Sequence, residues 1–387
     1  MKTIKLGEIG KIITGCTPST KNTEYYECKD YMFVGPSDIK NVMYVVSSEK
    51  HISQIAYEDH KTRFINENSI VVDCIGSDMG NVAIVNRTCL TNQQINAITN
   101  IDENKFNVKY IYYVLSTMKN YFHLIGTNGS TMPILNKSTF ENIEIEVPDI
   151  EIQNKIANIL SRLDDKIKLN SEINNNLSKL CNNIFHNYLD KYEDKIEYKK
   201  IVDIVNKVVT GKTPSTANKE FWDGIIPFIT IPDMHNQIFT IKTERNITEL
   251  GAKSIIPKNS ISVSCIATVG LVSINTKESQ TNQQINSIVL KNDYDLYFLY
   301  EYLSEQEDFM KSIAGGSTTY NINKNTFENI EVPYLPKELL IDFNNMVCNM
   351  FEKIKNNQYE NEELSQLRDT LLPKLMNCEI DLDNIEI

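Results

Sequence analysis

Two short stretches hold most of the side chains able to grip a ligand, and each occurs twice. Gly15-Cys16-Thr17-Pro18-Ser19-Thr20, followed by Lys21-Asn22, returns as Gly211-Lys212-Thr213-Pro214-Ser215-Thr216, with Asn218-Lys219 close behind. Hydroxyls, amides and ammonium groups of this kind hold phosphates and read base edges. The same residues also make a good turn closed by local hydroxyl-to-backbone bonds, and residue types alone leave both readings open. Thr91-Asn92-Gln93-Gln94-Ile95-Asn96 recurs unchanged as Thr281-Asn282-Gln283-Gln284-Ile285-Asn286. Identity between the copies points to a role common to both, structural bonding or a backbone contact ahead of sequence reading. After Phe33 and Phe228 the copies diverge, Pro36-Ser37-Asp38-Ile39-Lys40-Asn41 against Ile231-Pro232-Asp233-Met234-His235-Asn236. If each copy reads a different sequence, the difference belongs there.

Signatures of covalent chemistry fail one by one. Val209-Thr210-Gly211-Lys212-Thr213 imitates the end of a phosphate-binding loop, but Asn206 stands where the first glycine is required. Pro148-Asp149-Ile150-Glu151 resembles the start of a nuclease carboxylate motif without its partnering Glu-x-Lys, and Asp149 reads better as a helix N-cap. The histidines at 51, 60, 123, 186 and 235 show no metal-ligand spacing, and the cysteines at 16, 28, 74, 89, 181, 265, 348 and 378 form no Cys-x-x-Cys pair. They read as reduced thiols of a cytoplasmic protein, with no metal and no resident cofactor expected.

The repeat dictates the elements that must position these loops. Gly129-Ser130-Thr131 matches Gly316-Ser317-Thr318, and Thr139-Phe140-Glu141-Asn142-Ile143-Glu144 matches Thr326-Phe327-Glu328-Asn329-Ile330-Glu331. The offset between copies falls from 196 at Gly15 to 187 at Gly129 and then stays constant. The first part of each copy therefore tolerates insertions, as surface loops do, whereas the second has no freedom of length. That second part carries apolar residues three and four apart, Ile156, Leu160, Leu163, Ile167, Leu177, Ile184 and Tyr188, widened by Ile159, Ile173 and Leu180. Its counterpart carries Phe343, Val347, Met350, Ile354, Leu364 and Leu371. With no Gly or Pro over 151–189, the spacing predicts a helix of about 40 residues in each copy. Asn170 and Asn174, and their counterparts Asn357 and Asn361, fall in the seam, where a buried amide fixes register. The variable parts are mixed: strands are expected over 11–14, 69–73, 81–85, 95–99 and 143–147, with counterparts over 207–210, 260–264, 270–274, 285–290 and 330–332. An amphipathic helix is expected over 109–125 and 295–313. Val147-Pro148 and Val332-Pro333 are expected to end the last strands, since Pro cannot continue a central strand.

Composition narrows the function classes. Of 387 residues, 39 are Lys or Arg and 51 Asp or Glu, a net charge of −12, and the pI is about 5.1. Apolar runs such as Ile70-Val71-Val72 fall far short of the ~20 residues that cross a bilayer, and no apolar signal core opens the chain, so neither a membrane nor export is expected. Acidity of this size argues against nucleic acid by the usual rule, but the charge is uneven. Residues 1–147 carry 14 Lys+Arg against 16 Asp+Glu, residues 198–332 carry 13 against 15, and residues 333–387 carry 5 against 11. The variable parts are close to neutral, with room for a basic face on either.

Taken together, the loop motifs, the Phe-Glu-Asn-Ile-Glu segments leading to a Val-Pro before each helix, and Leu371-Leu372-Pro373-Lys374-Leu375-Met376 near the end resemble the specificity subunit of type I restriction-modification systems over essentially the whole chain. Asn377-Cys378 departs from that family's usual helix end. The resemblance implies an α+β fold with two mixed α/β target-recognition domains in pseudo-two-fold arrangement, joined by two long antiparallel helices forming a coiled coil. Its divisions would be 1–147 for the first domain, 148–197 for the first helix, 198–333 for the second domain and 334–387 for the second helix and tail. It implies double-stranded DNA as ligand, each domain reading half of a bipartite site while the helices set the spacer. It also implies two methyltransferase (M) subunits that bring S-adenosylmethionine, and restriction (R) subunits that bring ATP, so the chain itself is not expected to be an enzyme. Candidate DNA contacts in the first domain are Thr17, Ser19, Thr20, Lys21, Asn22, Ser37, Asp38, Lys40, Asn41, Ser77, Asn92, Gln93, Ser130 and Lys137. In the second they are Lys212, Thr213, Ser215, Thr216, Lys219, Asp233, His235, Asn236, Thr268, Asn282, Gln283, Ser317 and Lys324. The alternatives are a coiled-coil scaffold with protein-binding globular ends, which acidity favours, and a fragment of a fused methyltransferase or nuclease, which the missing catalytic motifs disfavour.

Overall fold

A computed structural model of the chain describes residues 1–76, 79–127, 133–315, 320–377 and 379–380. It divides into two compact units, one made of 1–163 with 367–387 and the other of 164–366. Each holds a five-stranded sheet with the same strand order. In the first unit the order is Lys11–Thr14, Ile95–Thr99, Ile70–Asp73, Val82–Val85, Tyr44–Val45; in the second it is Val205–Thr210, Ile285–Leu290, Ile261–Ser264, Val272–Asn275, Phe239–Thr240. Neighbours are antiparallel except the last pair, which is parallel in both.

The runs of buried residues in these strands follow from covering on both faces. In the first unit Ile70 and Val72 face the core that contains Tyr110, Ile111 and Leu115, whereas Val71, Ala83 and Ala97 face Met32, Val34 and Cys89 of a second, three-stranded sheet. In the second unit the face beneath the helices is apolar, with Ile261, Val263, Ile274 and Ile288. Its other face is hydroxyl-lined: Ser262 and Ser287 hydroxyls lie 3.1 Å apart, as do those of Thr240 and Ser273, so these buried polar groups satisfy one another. The smaller sheet of this unit has four strands, Arg245–Ile247, Trp222–Ile229, Ser279–Thr281 and Ile255–Ile256.

Three expectations need correction. The amphipathic helix is two helices in each copy, Val108–Thr117 and Lys119–Gly126, then Leu296–Ser304 and Glu307–Ile313. The first breaks at Met118, whose N–H bonds to Leu115, and the second at Gln306, whose N–H bonds to Leu303; these tight three-residue closures redirect the chain. Val147 does end its strand, but Pro333 lies inside Glu331–Tyr334, opposite Tyr198. That pairing is a two-stranded ribbon, where both strands are edges and a missing N–H is tolerated. Leu180, assigned to the apolar stripe, is exposed, and Phe185 rather than Ile184 is the fully buried residue at that turn.

The long helices run Ile150–Lys191 and Lys337–Met376. Within the second unit they pack antiparallel: Asn170 bonds to Asn361, Asn174 to Asn357, Cys181 to Met350 and Tyr188 to Leu339 and Asp342, partners stepping in opposite directions. Asn170 and Asn357 are equivalent positions of the two copies, as are Asn174 and Asn361. The two amide pairs are therefore images of each other, and the crossing has a local pseudo-dyad. Asn170 and Asn357 are each only 1% exposed and each leaves its carbonyl oxygen without a partner. Glu360, held by Lys166 and Asn170, closes one side of the crossing; hydrogen bonding from Asn170 keeps its carboxyl below the usual range.

Each core takes residues from both helices. In the first unit Ile156, Ala157 and Leu160 join Leu375 beneath the sheet, with Leu371 and Leu372 packed alongside; in the second, Cys181, Phe185 and Tyr188 join Phe343, Val347 and Phe351. One buried contact there is charged. Glu301 lies beneath Asn182, which bridges it to Glu305, itself 2.9 Å from His186. Burial pushes the Glu301 carboxyl up to about 7, with neighbouring Glu305 adding to the shift and Asn182 opposing it.

Two outcomes test this packing. An unpartnered buried carbonyl costs roughly 1–3 kcal/mol, so Asn170→Leu with Asn357→Leu should raise the thermal midpoint while loosening helix register; a lower midpoint would show that the amides supply net stability. Because the folded-state pKa of Glu301 is raised, its contribution is fully present below the unfolded value near 4.5 and is lost as pH rises through about 7. Glu301→Gln should therefore stabilise the protein at pH 8 by roughly 1–3 kcal/mol and match the wild type near pH 5 in urea titrations; an equal gain at both would assign the effect to packing.

Candidate nucleic-acid interface

The two repeated motifs meet because they lie on neighbouring strand ends. The N–H of Gly15 bonds to Ile95 and that of Cys16 to Thr91, docking the first loop against the Asn-Gln-Gln turn; Gly211 docks on Ile285 in the same way. Glycine is required at this approach. A Cβ on Gly15 would lie 2.2 Å from the carbonyl oxygens of Thr91 and Asn92, and one on Gly211 2.2 Å from that of Asn282. Thr17 and Thr213 then donate to the side-chain oxygens of Gln93 and Gln283 at 2.5 Å. An aromatic residue ties down each loop from below: the Tyr26 hydroxyl donates to Pro18 and the Trp222 indole to Ser215. Arg63 donates to the carbonyl of Thr14 at the base of the first loop.

Within the Asn-Gln-Gln turn the roles divide. Asn92 accepts from the N–H of Gln94 and donates to its side chain, and Asn282 and Gln284 do the same. Asn96 and Asn286 accept from Thr14 and Thr210. These are bonds internal to the scaffold, which explains their identity in both copies. Gln93 and Gln283 are the exposed members, each accepting from its threonine through the side-chain oxygen.

A third loop joins the cluster. The N–H of Cys74 bonds to Gln94 and that of Leu135 to Cys74, and in the second unit Cys265 bonds to Gln284 and Ile322 to Cys265. Lys137 and Lys324 are exposed and open the short helices Lys137–Glu141 and Lys324–Glu328, capped by Asn136 and Asn323. Thr268 is exposed next to Ala267, which takes a left-handed φ of 64°. Ser77, Ser130 and Ser317 lie outside the described residues. Ser19, Thr20 and Lys21, and Lys212, Ser215, Thr216 and Lys219, are exposed, with Asn22 half-buried. The side chains of Cys74 and Cys265 sit beneath the cluster, where burial pushes their thiols up to about 12 and about 11, well into the protonated range at neutral pH.

The segment after Phe33 or Phe228 is built differently. Asp38 accepts from the N–H groups of Gly35 and Glu49, and Asp233 from those of Thr230 and Glu244, so both carboxylates staple backbone. Asn41 and Asn236 share a left-handed φ of 59°, a conformation Asn tolerates. Ser37, Lys40 and His235 are exposed. In the second unit His235 and Asn236 line a cleft of about 1060 Å³ with Asn174, Asn361 and Glu362 of the helix pair. Sequence reasoning missed Tyr26, Trp222, Arg63 and Arg245; the aromatic pair was detectable as the same class of residue at matching positions, but nothing along the chain tied either to its loop.

Among the described residues no His, Cys, Asp or Glu group of three or more could hold a metal, and no helix is long and apolar enough to cross a membrane.

A family model described as the type I restriction modification DNA specificity domain matches residues 1–179 and 193–339. The chain is 46% identical over 191 residues to the Type I restriction enzyme HindI specificity subunit of Haemophilus influenzae, a match covering 48% of this chain and 41% of that protein. It is 29% identical over 414 residues to the MjaIX specificity subunit of Methanocaldococcus jannaschii, covering 98% of this chain and 94% of that one. Among solved structures, a type I restriction-modification S subunit from M. genitalium shares the fold with a TM-score of 0.61 at 17% identity, covering 97% of this chain and 95% of that one.

The docked loop yields a test of the scaffold. Gly211→Ala should destabilise the protein by at least about 2 kcal/mol, because its methyl group meets backbone oxygens that cannot move aside. A denaturant midpoint equal to that of the wild type would show that the loop lifts freely.

Proposed function

The chain belongs to the family of type I restriction-modification DNA specificity subunits, and from that premise we propose that each sheet-bearing unit reads one half of a split, asymmetric DNA site. The observation that carries this reading is the doubled loop cluster: the bonds that dock it on the Asn-Gln-Gln turn are the same in both units, while several of the exposed residues around it differ. Lys21 and Thr23 in one cluster stand where the other has Ala217 and Lys219, and Lys40 of one segment stands against His235 of its counterpart. A common frame with divergent outward groups suits two readers of unlike sequences.

Near-neutral recognition domains should bind DNA weakly by themselves and lean on partners for phosphate contacts. Two methyltransferase subunits docked on the long helices would bring S-adenosylmethionine and the adenine-methylating site, and restriction subunits would add ATP-driven cleavage. This chain would contribute recognition rather than catalysis, in the cytoplasm. The long helices, about 60 Å each at 1.5 Å per residue, would set the spacer. A gap of about one helical turn, ~34 Å between half-site centres, needs a stiff connector.

Exchanging residues 198–333 for the matching domain of another family member, in cells that also express the methyltransferase partner, should change one half of the methylated target and leave the other half intact. Mapping methylated adenines decides this, and a change in both halves would overturn the modular reading.

A further inference from the structure

Arg245 is the sole arginine between residues 198 and 333, and Trp222 is the sole tryptophan of the chain. The two are stacked, with the guanidinium carbon 3.5 Å from the centre of the indole ring. The indole is itself fixed: it is 7% exposed, meets Phe228 edge-on at 5.3 Å and donates to the carbonyl of Ser215. Arg245 therefore rides on the residue that anchors the Thr-Pro-Ser-Thr loop. It is exposed, and its guanidinium has no hydrogen-bond or ion-pair partner among the described residues. Every other arginine of the described chain is engaged: Arg63 with Thr14, Arg87 with Val46, Arg162 with Asn158 and Arg368 with Asp369.

We propose that Arg245 is a specificity-determining residue of the second domain, presenting its planar N–H fork to a guanine edge in the half-site read there. This rests on the DNA-reading function proposed above. An indole against one face of the guanidinium fixes its plane and leaves the in-plane donors clear, the geometry that matches guanine O6 and N7 in the major groove. Holding that plane before binding reduces the ordering cost on contact. A phosphate contact would gain little from such orientation, since a flexible ammonium serves as well. The first domain makes the comparison: Lys50 pairs with Phe33 as Arg245 pairs with Phe228, and Tyr26 occupies the place of Trp222. At equivalent positions the two domains thus present a mobile point charge and an oriented fork, a difference suited to reading different sequences.

The experiment uses the full chain expressed with its methyltransferase partner, with methylated adenines mapped across the host genome for the wild type, R245K, R245A and W222F. The wild-type map, with the domain exchange, defines the half-site of residues 198–333. R245K and R245A should both lose discrimination at one guanine of that half-site, by roughly ten- to a hundredfold, with the other half unchanged; W222F should give a smaller loss at the same position. Methylation that falls evenly at all sites with an unaltered motif would assign Arg245 to phosphate and overturn the proposal, as would an unaltered map or a half-site without guanine. If R245A fails to accumulate, R245K, which keeps the charge and the aliphatic stem, decides the outcome. A wild type with no bipartite motif would remove the DNA-reading function itself, whereas a bipartite wild-type motif unmoved by R245K would overturn only the role of Arg245.

Discussion

Two buried amide pairs govern how the long helices meet. Asn170 against Asn361 and Asn174 against Asn357 pair in one antiparallel register, and any slip of the helices would break both pairs. Apolar stripes alone specify register weakly, because one leucine packs against another almost as well as against its intended partner. Each unit builds its core on residues from both helices, so the register set at the crossing also decides which residues close the second core, where Phe185 and Tyr188 meet Phe343.

On that frame, the two copies use their shared residues inwardly. The glycine of each loop admits the backbone of the next strand end, the threonine reaches the glutamine, and the two asparagines of the turn close it from within. Groups so committed offer little to a ligand. The groups that differ, Lys40 and His235, or Lys50 and Arg245, are exposed on the same frame. This separation lets an outward residue change without disturbing the bonds that hold its loop.

Much of this was legible along the chain. The long helices came from heptad spacing uninterrupted by Gly or Pro, and the central strands from β-branched runs; 11–14, 95–99 and 285–290 coincide with the observed strands. The break at Met118 was not legible, because apolar periodicity continues through it and the turn is made by backbone bonding alone. Strand Glu331–Tyr334 defied the rule for proline because the rule depends on whether a strand has neighbours on both sides. Of the candidate contacts, Thr17 bonds to Gln93 and Thr213 to Gln283, a meeting that spacing along the chain does not reveal. Asp38 and Asp233 accept backbone N–H groups, and Asn41 and Asn236 take a left-handed conformation, features that residue type alone does not reveal.

The order of residues by itself determined the twofold repeat, the alternation of sheet domain and long helix, and the family, since these reside in spacing and in motifs that are contiguous in the chain. Only the tertiary structure decided which polar groups are spent and which are left over. Hydrogen bonds between side chains distant in sequence occupy amides and hydroxyls such as those of Thr17 with Gln93 and Thr210 with Asn286, and a guanidinium gains a fixed aromatic support when an indole 23 residues away is folded beneath it. Pairings of that kind depend on strand register and side-chain direction, which arise from the simultaneous closure of both sheets and both helices.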